Sequence, residues 1–310
     1  MEIKNVAVVG MGVIGASWAA NFLAQGLNVV AYDANQDLAP DVAQLIASYL
    51  ADLGMEDGAR VMADRYRFET DLAAAVTAAD FIQENGPERL AIKHDIIKTI
   101  ESAAATDALI VSSSSGLLVS DMQQNAQHPE RIVLGHPFNP PHLIPLVEVI
   151  GGKQTSADAI ARTMDFYTAI GKKPVHIKKE VKGHVVNRLQ AALFKEAFYL
   201  IDEGVISVAD LDAAIAHGPG LRWAFLGPCM NLHLSGGRGG MEHLLEHLGP
   251  AFTEWWADMH DVTLTDALKQ KLIDGMDDQL QGIDQKALIN KRDAMMRSLI
   301  KEKNVQEFDL

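Results

Sequence analysis

Two side chains of complementary chemistry stand close together in "LGHPFNPPHLIPLVEV", Leu134 to Val149: the imidazole of His136 and the carboxylate of Glu148. A carboxylate beside a histidine orients the ring, stabilises its protonated form and makes it able to remove a hydroxyl proton near neutral pH. Both residues lie in runs that otherwise read as buried strand, "RIVLGH" and "PLVEVI". Taken singly, each has an ordinary structural use, as a satisfied buried histidine or a strand-edge charge; taken together they point to proton transfer. A further polar group, "SSSSG" at Ser112 to Gly116, follows another apolar strand. Serine clusters usually cap helices or shape turns, and one of these hydroxyls is also a candidate donor to a substrate oxygen.

A different chemistry is written near the start of the chain. "GMGVIG", Gly10 to Gly15, is a GxGxxG pattern, weak by itself in a protein with 24 glycines. Its context is more specific: it follows the apolar run "IKNVAVVG", opens a segment of helical period, and is followed by Asp33 at the end of "LNVVAYD". Gly10 permits a tight turn, Gly12 lets backbone approach a pyrophosphate, and Gly15 lets helix and strand pack closely. With Val13 and Ile14 they open the helix whose N-terminus favours phosphate. The Asp33 carboxylate suits a ribose diol and repels a 2′-phosphate, which favours NAD over NADP; FAD is a lesser reading of the same fingerprint, and a turn-capping aspartate the structural one. A nicotinamide, a base and oxygen-binding donors together imply oxidation of a secondary alcohol to a ketone, or the reverse.

These groups need a scaffold that gathers them at one edge. Strand-like runs alternate with helical stretches from residue 3 to about 180: a helix closed by Gly26, helices near 38–54, 70–78, 88–102 and 156–170, and strands at "YRF", "DFIQEN", "ALIVSSSS", "RIVLGH", "PLVEVI" and "KPVHIKK". This predicts an α/β fold with a doubly wound, mostly parallel Rossmann-type sheet, whose strand ends carry the ligands. Beyond Val181 the period is helical throughout, so the expected division is a dinucleotide-binding domain over 1–180 and an all-helical domain over 181–310.

Composition narrows the partners. A net charge of −14, without a dense Lys/Arg cluster, argues against nucleic acid. No apolar run approaches the roughly 20 residues of a membrane span, and no secretory leader precedes the first strand. Cys229 is the only cysteine, which excludes an intrachain disulfide or a multi-cysteine metal site and fits a reducing cytoplasm. The expectation is a cytoplasmic enzyme of a small molecule, with no metal.

"GMGVIG", "FIQENGPERLAIK", "SSSSGLL", "GHPFNPPHLIPLVEV" and "KGHVVNRL" together resemble the L-3-hydroxyacyl-CoA dehydrogenase family over nearly the whole chain. The resemblance implies His136 as catalytic base, Glu148 as its orienting carboxylate, and Ser115 and Asn187 as partners of the reacting oxygen, with His184 where phenylalanine is usual. It implies that Glu84, Lys93 and Asn139 lie along the cofactor or at its nicotinamide end, and that the helical domain makes a homodimer. Two stretches depart from the CoA-using members. "DLAPDVAQLIASYLADLGMEDGAR" is acidic and would repel CoA phosphates, and "GPGLRWAFLGP" is similar to carnitine dehydrogenases, with features shared by L-gulonate 3-dehydrogenases and lambda-crystallins. Arg222 is therefore a candidate for gripping a free carboxylate, and Trp223, with Trp255 and Trp256 less so, for boxing a quaternary ammonium; a surface ion pair and apolar packing are their structural alternatives. The expected substrate is an L-3-hydroxy acid, carnitine-like ahead of gulonate-like, with a CoA thioester, or a crystallin-like protein without turnover, as alternatives.

Overall fold

Strand β1 (Asn5–Val9) buries four of its five side chains, because alternate residues enter two different cores. Val6 and Val8 face Trp18 and Phe22 of the helix Val13–Ala24, while Ala7 and Val9 face Ile82, Ile110 and Met122. A strand covered on both faces must be apolar throughout, which is why the sequence shows a run rather than an alternation. The structure, a computed structural model, describes residues 3–306.

The other strands are β2 (Asn28–Tyr32), β3 (Tyr66–Glu69), β4 (Phe81–Glu84), β5 (Leu109–Ser112), β6 (Ile132–Pro137), β7 (Leu146–Gly151) and β8 (Lys173–Ile177). They form one sheet of order β3-β2-β1-β4-β5-β6-β7-β8, parallel except for the antiparallel pair β6 and β7. The strand order reverses between β1 and β4, so a crevice opens beyond their C-terminal ends, where doubly wound sheets take ligands. Two helices escaped the sequence reading, the single turn Val119–Met122 and Gly58–Arg65. Gly58–Arg65 shows no apolar stripe; only Gly58 in it is buried.

The chain divides into two compact units, Met1–Arg188 and Leu189–Leu310. Residues 184–186 are tied to the sheet by hydrogen bonds: His184 Nε2 with the Ser114 carbonyl, and the Val185 and Val186 amides with Glu148. In the first unit the turn between β6 and β7 rests on buried Lys172, whose ammonium donates to the carbonyl oxygens of Pro141 and Ile144 and lies 5.4 Å from the centre of the Trp18 ring. Among the described residues the second unit contains only helices, the longest being Gly240–Asp258 and Gln285–Val305. No described helix is long and apolar enough to cross a membrane.

Candidate active site

The glycine loop shows why Gly10 and Gly15 are needed and what Gly12 leaves open. Gly10 has φ +89°, and a Cβ there would lie 2.7 Å from the Asn85 carbonyl oxygen; a Cβ on Gly15 would lie 2.0 Å from the oxygen of Gly10. Gly12 has only open space around its Cβ position, leaving its backbone accessible at the start of the Val13–Ala24 helix. Val13 itself is exposed and Ile14 half-buried. Asp33 accepts from Met11 N at 3.0 Å and Asn35 N at 3.1 Å, so its carboxylate is fixed beside the loop with acceptor capacity to spare. A closely packed turn, an open helix N-terminus and a carboxylate at the end of β2 fit a dinucleotide whose pyrophosphate meets backbone N–H groups.

His136 and Glu148 meet because of register. In the antiparallel β6–β7 pair they are direct cross-strand partners, so both side chains leave the same face. His136 Nδ1 lies 2.9 Å from Glu148 Oε2, and both residues are buried. An ionised carboxylate only accepts, so Nδ1 carries the hydrogen and Nε2 presents its lone pair. The other carboxylate oxygen accepts from Val185 N at 3.0 Å and Val186 N at 2.9 Å, the amides at the start of the next helix. Burial works against the charge of Glu148; the bonds from His136, Val186 and Val185 outweigh it and hold the carboxyl below its usual range. In the neutral form of the ring, the pair sets a carboxylate on one side and an imidazole nitrogen able to accept a proton on the other.

Ser115 and Asn187 are also brought together: Asn187 Nδ2 donates to the Ser115 carbonyl at 3.3 Å, and Ser115 is exposed. The serine loop hangs on a residue that the sequence reading missed. Glu88 accepts from Ser114 Oγ at 2.6 Å, Ser115 N at 3.0 Å and Gly116 N at 2.9 Å. Burial raises the Glu88 pKa, but these bonds and Lys93 bring it below normal. The only signal for it in the sequence is a carboxylate just past a strand end. Glu84 and Lys93 form a pair 1% exposed on each side, at 2.8 Å, and Glu84 also accepts from Ser112 Oγ and Gly86 N. Their side chains thus hold the 85–88 and 112–116 loops. Asn139 stands exposed in the β6–β7 turn, before a cis bond to Pro140. Among the described residues no cluster of three or more His, Cys, Asp or Glu could hold a metal ion.

In the second unit, Arg222 and Trp223 end the short helix Pro219–Trp223, both exposed. Trp255 and Trp256 are also exposed, near the end of the Gly240–Asp258 helix, where Phe252 packs against both indoles.

Residues 5–181 match the family model for the 3-hydroxyacyl-CoA dehydrogenase NAD binding domain, and residues 183–273 that for the C-terminal domain. An L-carnitine dehydrogenase of Bacillus cereus is 45% identical over 302 residues, covering 96% of this chain and 92% of its own. One of Pseudomonas putida is 44% identical, over 90% and 87% of the two chains. Among solved structures, a 5-formyl-3-hydroxy-2-methylpyridine 4-carboxylic acid 5-dehydrogenase, described as an NAD+ dependent dismutase, superposes with TM-score 0.82 at 29% identity, over 98% of this chain and 99% of that one. A (S)-3-hydroxybutyryl-CoA dehydrogenase of Ralstonia eutropha does so with TM-score 0.65 at 26% identity, over 82% and 88%.

Proposed function

The chain belongs to the 3-hydroxyacyl-CoA dehydrogenase family, and on that premise we propose which residues carry its reaction and on which substrate. It is an NAD-dependent oxidoreductase that oxidises the hydroxyl of a 3-hydroxy acid to the ketone. In our reading the substrate is L-carnitine or a close analogue. The observation that carries this is 40–45% identity to L-carnitine dehydrogenases over most of both lengths. The acidic 37–60 stretch, unsuited to CoA phosphates, favours a free acid as well.

His136 Nε2 removes the hydroxyl proton, and the imidazolium that results is stabilised by Glu148. Ser115 and Asn187 donate hydrogen bonds to the reacting oxygen, which lowers the cost of charge developing there. NAD, when bound, supplies the hydride acceptor, and the C–H pair leaves as the C–O bond becomes C=O. Gly10, Gly12, Val13, Ile14, Gly15 and Asp33 hold the dinucleotide. Glu84 and Lys93 serve it by fixing the loops around it, and Asn139 from the β6–β7 turn. Residues 1–180 bind the cofactor; 181–310 serve substrate and assembly. Arg222 pairs with the substrate carboxylate and Trp223 packs on its trimethylammonium group, roles that fit a guanidinium fork and an indole face. We place the enzyme in the cytoplasm as a homodimer, supported by its single free cysteine and the apolar exterior of its helical unit.

Assaying L-carnitine, L-gulonate and (S)-3-hydroxybutyryl-CoA with NAD tests the substrate. Carnitine should give by far the highest kcat/KM. Turnover of gulonate alone would move the protein to the sugar-acid branch, and turnover of the thioester alone would overturn the free-acid reading.

A further inference from the structure

His184 occupies an unusual backbone state. Its φ is +52°, the one positive value among described residues other than glycine. Histidine enters this left-handed region more readily than most residues, yet holding it there costs free energy unless surrounding contacts compensate. Here they are numerous. The ring is buried, its Nε2 lies 3.1 Å from the Ser114 carbonyl oxygen, and its centre is 5.1 Å from that of His136. The left-handed turn also aims the next two amides, Val185 and Val186, at Glu148 Oε1. One residue thus ties its backbone turn to the carboxylate of the charged pair and its side chain to the serine loop.

The direction of the side-chain bond fixes the tautomer. A carbonyl only accepts, so Nε2 carries the hydrogen. Burial lowers the pKa of His184, and a proton on nearby His136 would lower it further, opposed by the Ser114 bond and by the carboxylates of Glu148 and Glu88, with a net lowering. Without the Nε2–H donor, the Ser114 carbonyl loses its link to the turn, while Glu88 still anchors the loop through the Ser114 hydroxyl and the Ser115 and Gly116 amides.

We propose that His184 is a positioning residue: it sets the Ser112–Gly116 loop against the His136–Glu148 pair, so that Ser115 and Asn187 meet the substrate oxygen in register with the base. This rests on the reading of the site given above and adds to it a group that touches neither substrate nor cofactor. Small displacements of well-placed donors cost large factors in rate, so a loop-setting contact should appear in kcat rather than in cofactor affinity.

The test compares His184→Phe, which keeps an aromatic ring and removes the donor, with His184→Gln, whose amide nitrogen replaces Nε2. Two measurements are made with NADH bound or NAD present. Amide exchange across residues 113–117 should speed up at least about fivefold in the phenylalanine variant and return towards wild type in the glutamine one. With L-carnitine, L-gulonate or the thioester, whichever is turned over fastest, kcat should fall on the order of tenfold or more in His184→Phe and recover in His184→Gln, while NADH Kd stays within about twofold. Unchanged loop exchange in His184→Phe overturns the proposal, as does wild-type kcat. Equal damage in both variants with a matching loss of NADH affinity also overturns it, since that pattern is general loosening. His136→Gln in the same assay separates the two levels: if it retains turnover, the site reading fails; if it is inactive while His184→Phe is not impaired, only this inference fails.

Discussion

The two units of the chain dispose of their apolar side chains in opposite ways. In the first, among the described residues, only Val13, Val175 and Val185 are large apolar side chains left exposed. In the second, Ala197, Val208, Leu244 and Leu268 are the buried apolar residues, while Trp223, Phe225, Trp255, Trp256, Ile289 and Met295 are among the many exposed. The first unit hides its own core and turns its buried ionic groups, Glu84, Lys93, His136 and Glu148, to the loops at the sheet edge. A helical unit with so much outward apolar surface is a surface built for covering. The proposed proton-transfer groups lie in the first unit, and the proposed subunit contact in the other.

Perturbing each unit in turn separates those roles. His136→Gln should lower kcat by roughly a thousandfold, the middle of the range for losing a general base, while sedimentation and NADH affinity stay near wild type. Persisting turnover would move the base elsewhere. Trp255→Glu with Trp256→Glu should convert the proposed dimer into a smaller species in sedimentation and lower Tm by several degrees; an unchanged sedimentation coefficient would show that this surface is not the interface. Lys172→Met examines how far the first unit's core tolerates charge. Burial lowers the pKa of Lys172 from 10.5 to about 7. Between those values the unfolded chain holds a proton that the folded chain lacks, so stability should climb as pH rises through this window, with the penalty complete below it. Urea unfolding at several pH values should show a rise on the order of a few kcal/mol in the wild type and a much flatter profile in the variant. The smallest effect is expected from Asp33→Ser: a shift of about tenfold in the NAD-to-NADP ratio of kcat/KM, read in steady-state assays, with an unchanged ratio counting against the ribose contact.

The sequence showed most clearly what is local. "GMGVIG" between a strand and a helix is a turn in which Gly10 and Gly15 have no room for a side chain, and β1, β5, β6 and β7 appear as mainly apolar runs because the middle of the sheet is covered on both faces, whereas β2, β3 and β8 are only partly buried. His136 and Glu148 could be paired because their strands are consecutive and short loops join neighbours. What stayed hidden depends on tertiary approach. Glu88 reaches a loop 26 to 28 residues away, and His184 a carbonyl 70 residues away; both lie inside motifs shared with the family, but neither motif announces these contacts. The Gly58–Arg65 helix was missed for a different reason, since half-buried Val61 and Met62 make too small an apolar face to register.

The antiparallel hairpin set into a parallel sheet makes the charged pair sensitive to loop length. Side chains on a strand alternate in direction, so one residue added between Phe138 and Pro145 that slid β7 by a single step would set Val147 or Val149 opposite His136 in place of Glu148. The imidazole would then look at methyl groups, while the displaced carboxylate pointed into the apolar layer on the far side. An insertion there should therefore be as damaging as deleting the acid outright, although every residue of the dyad would still be present.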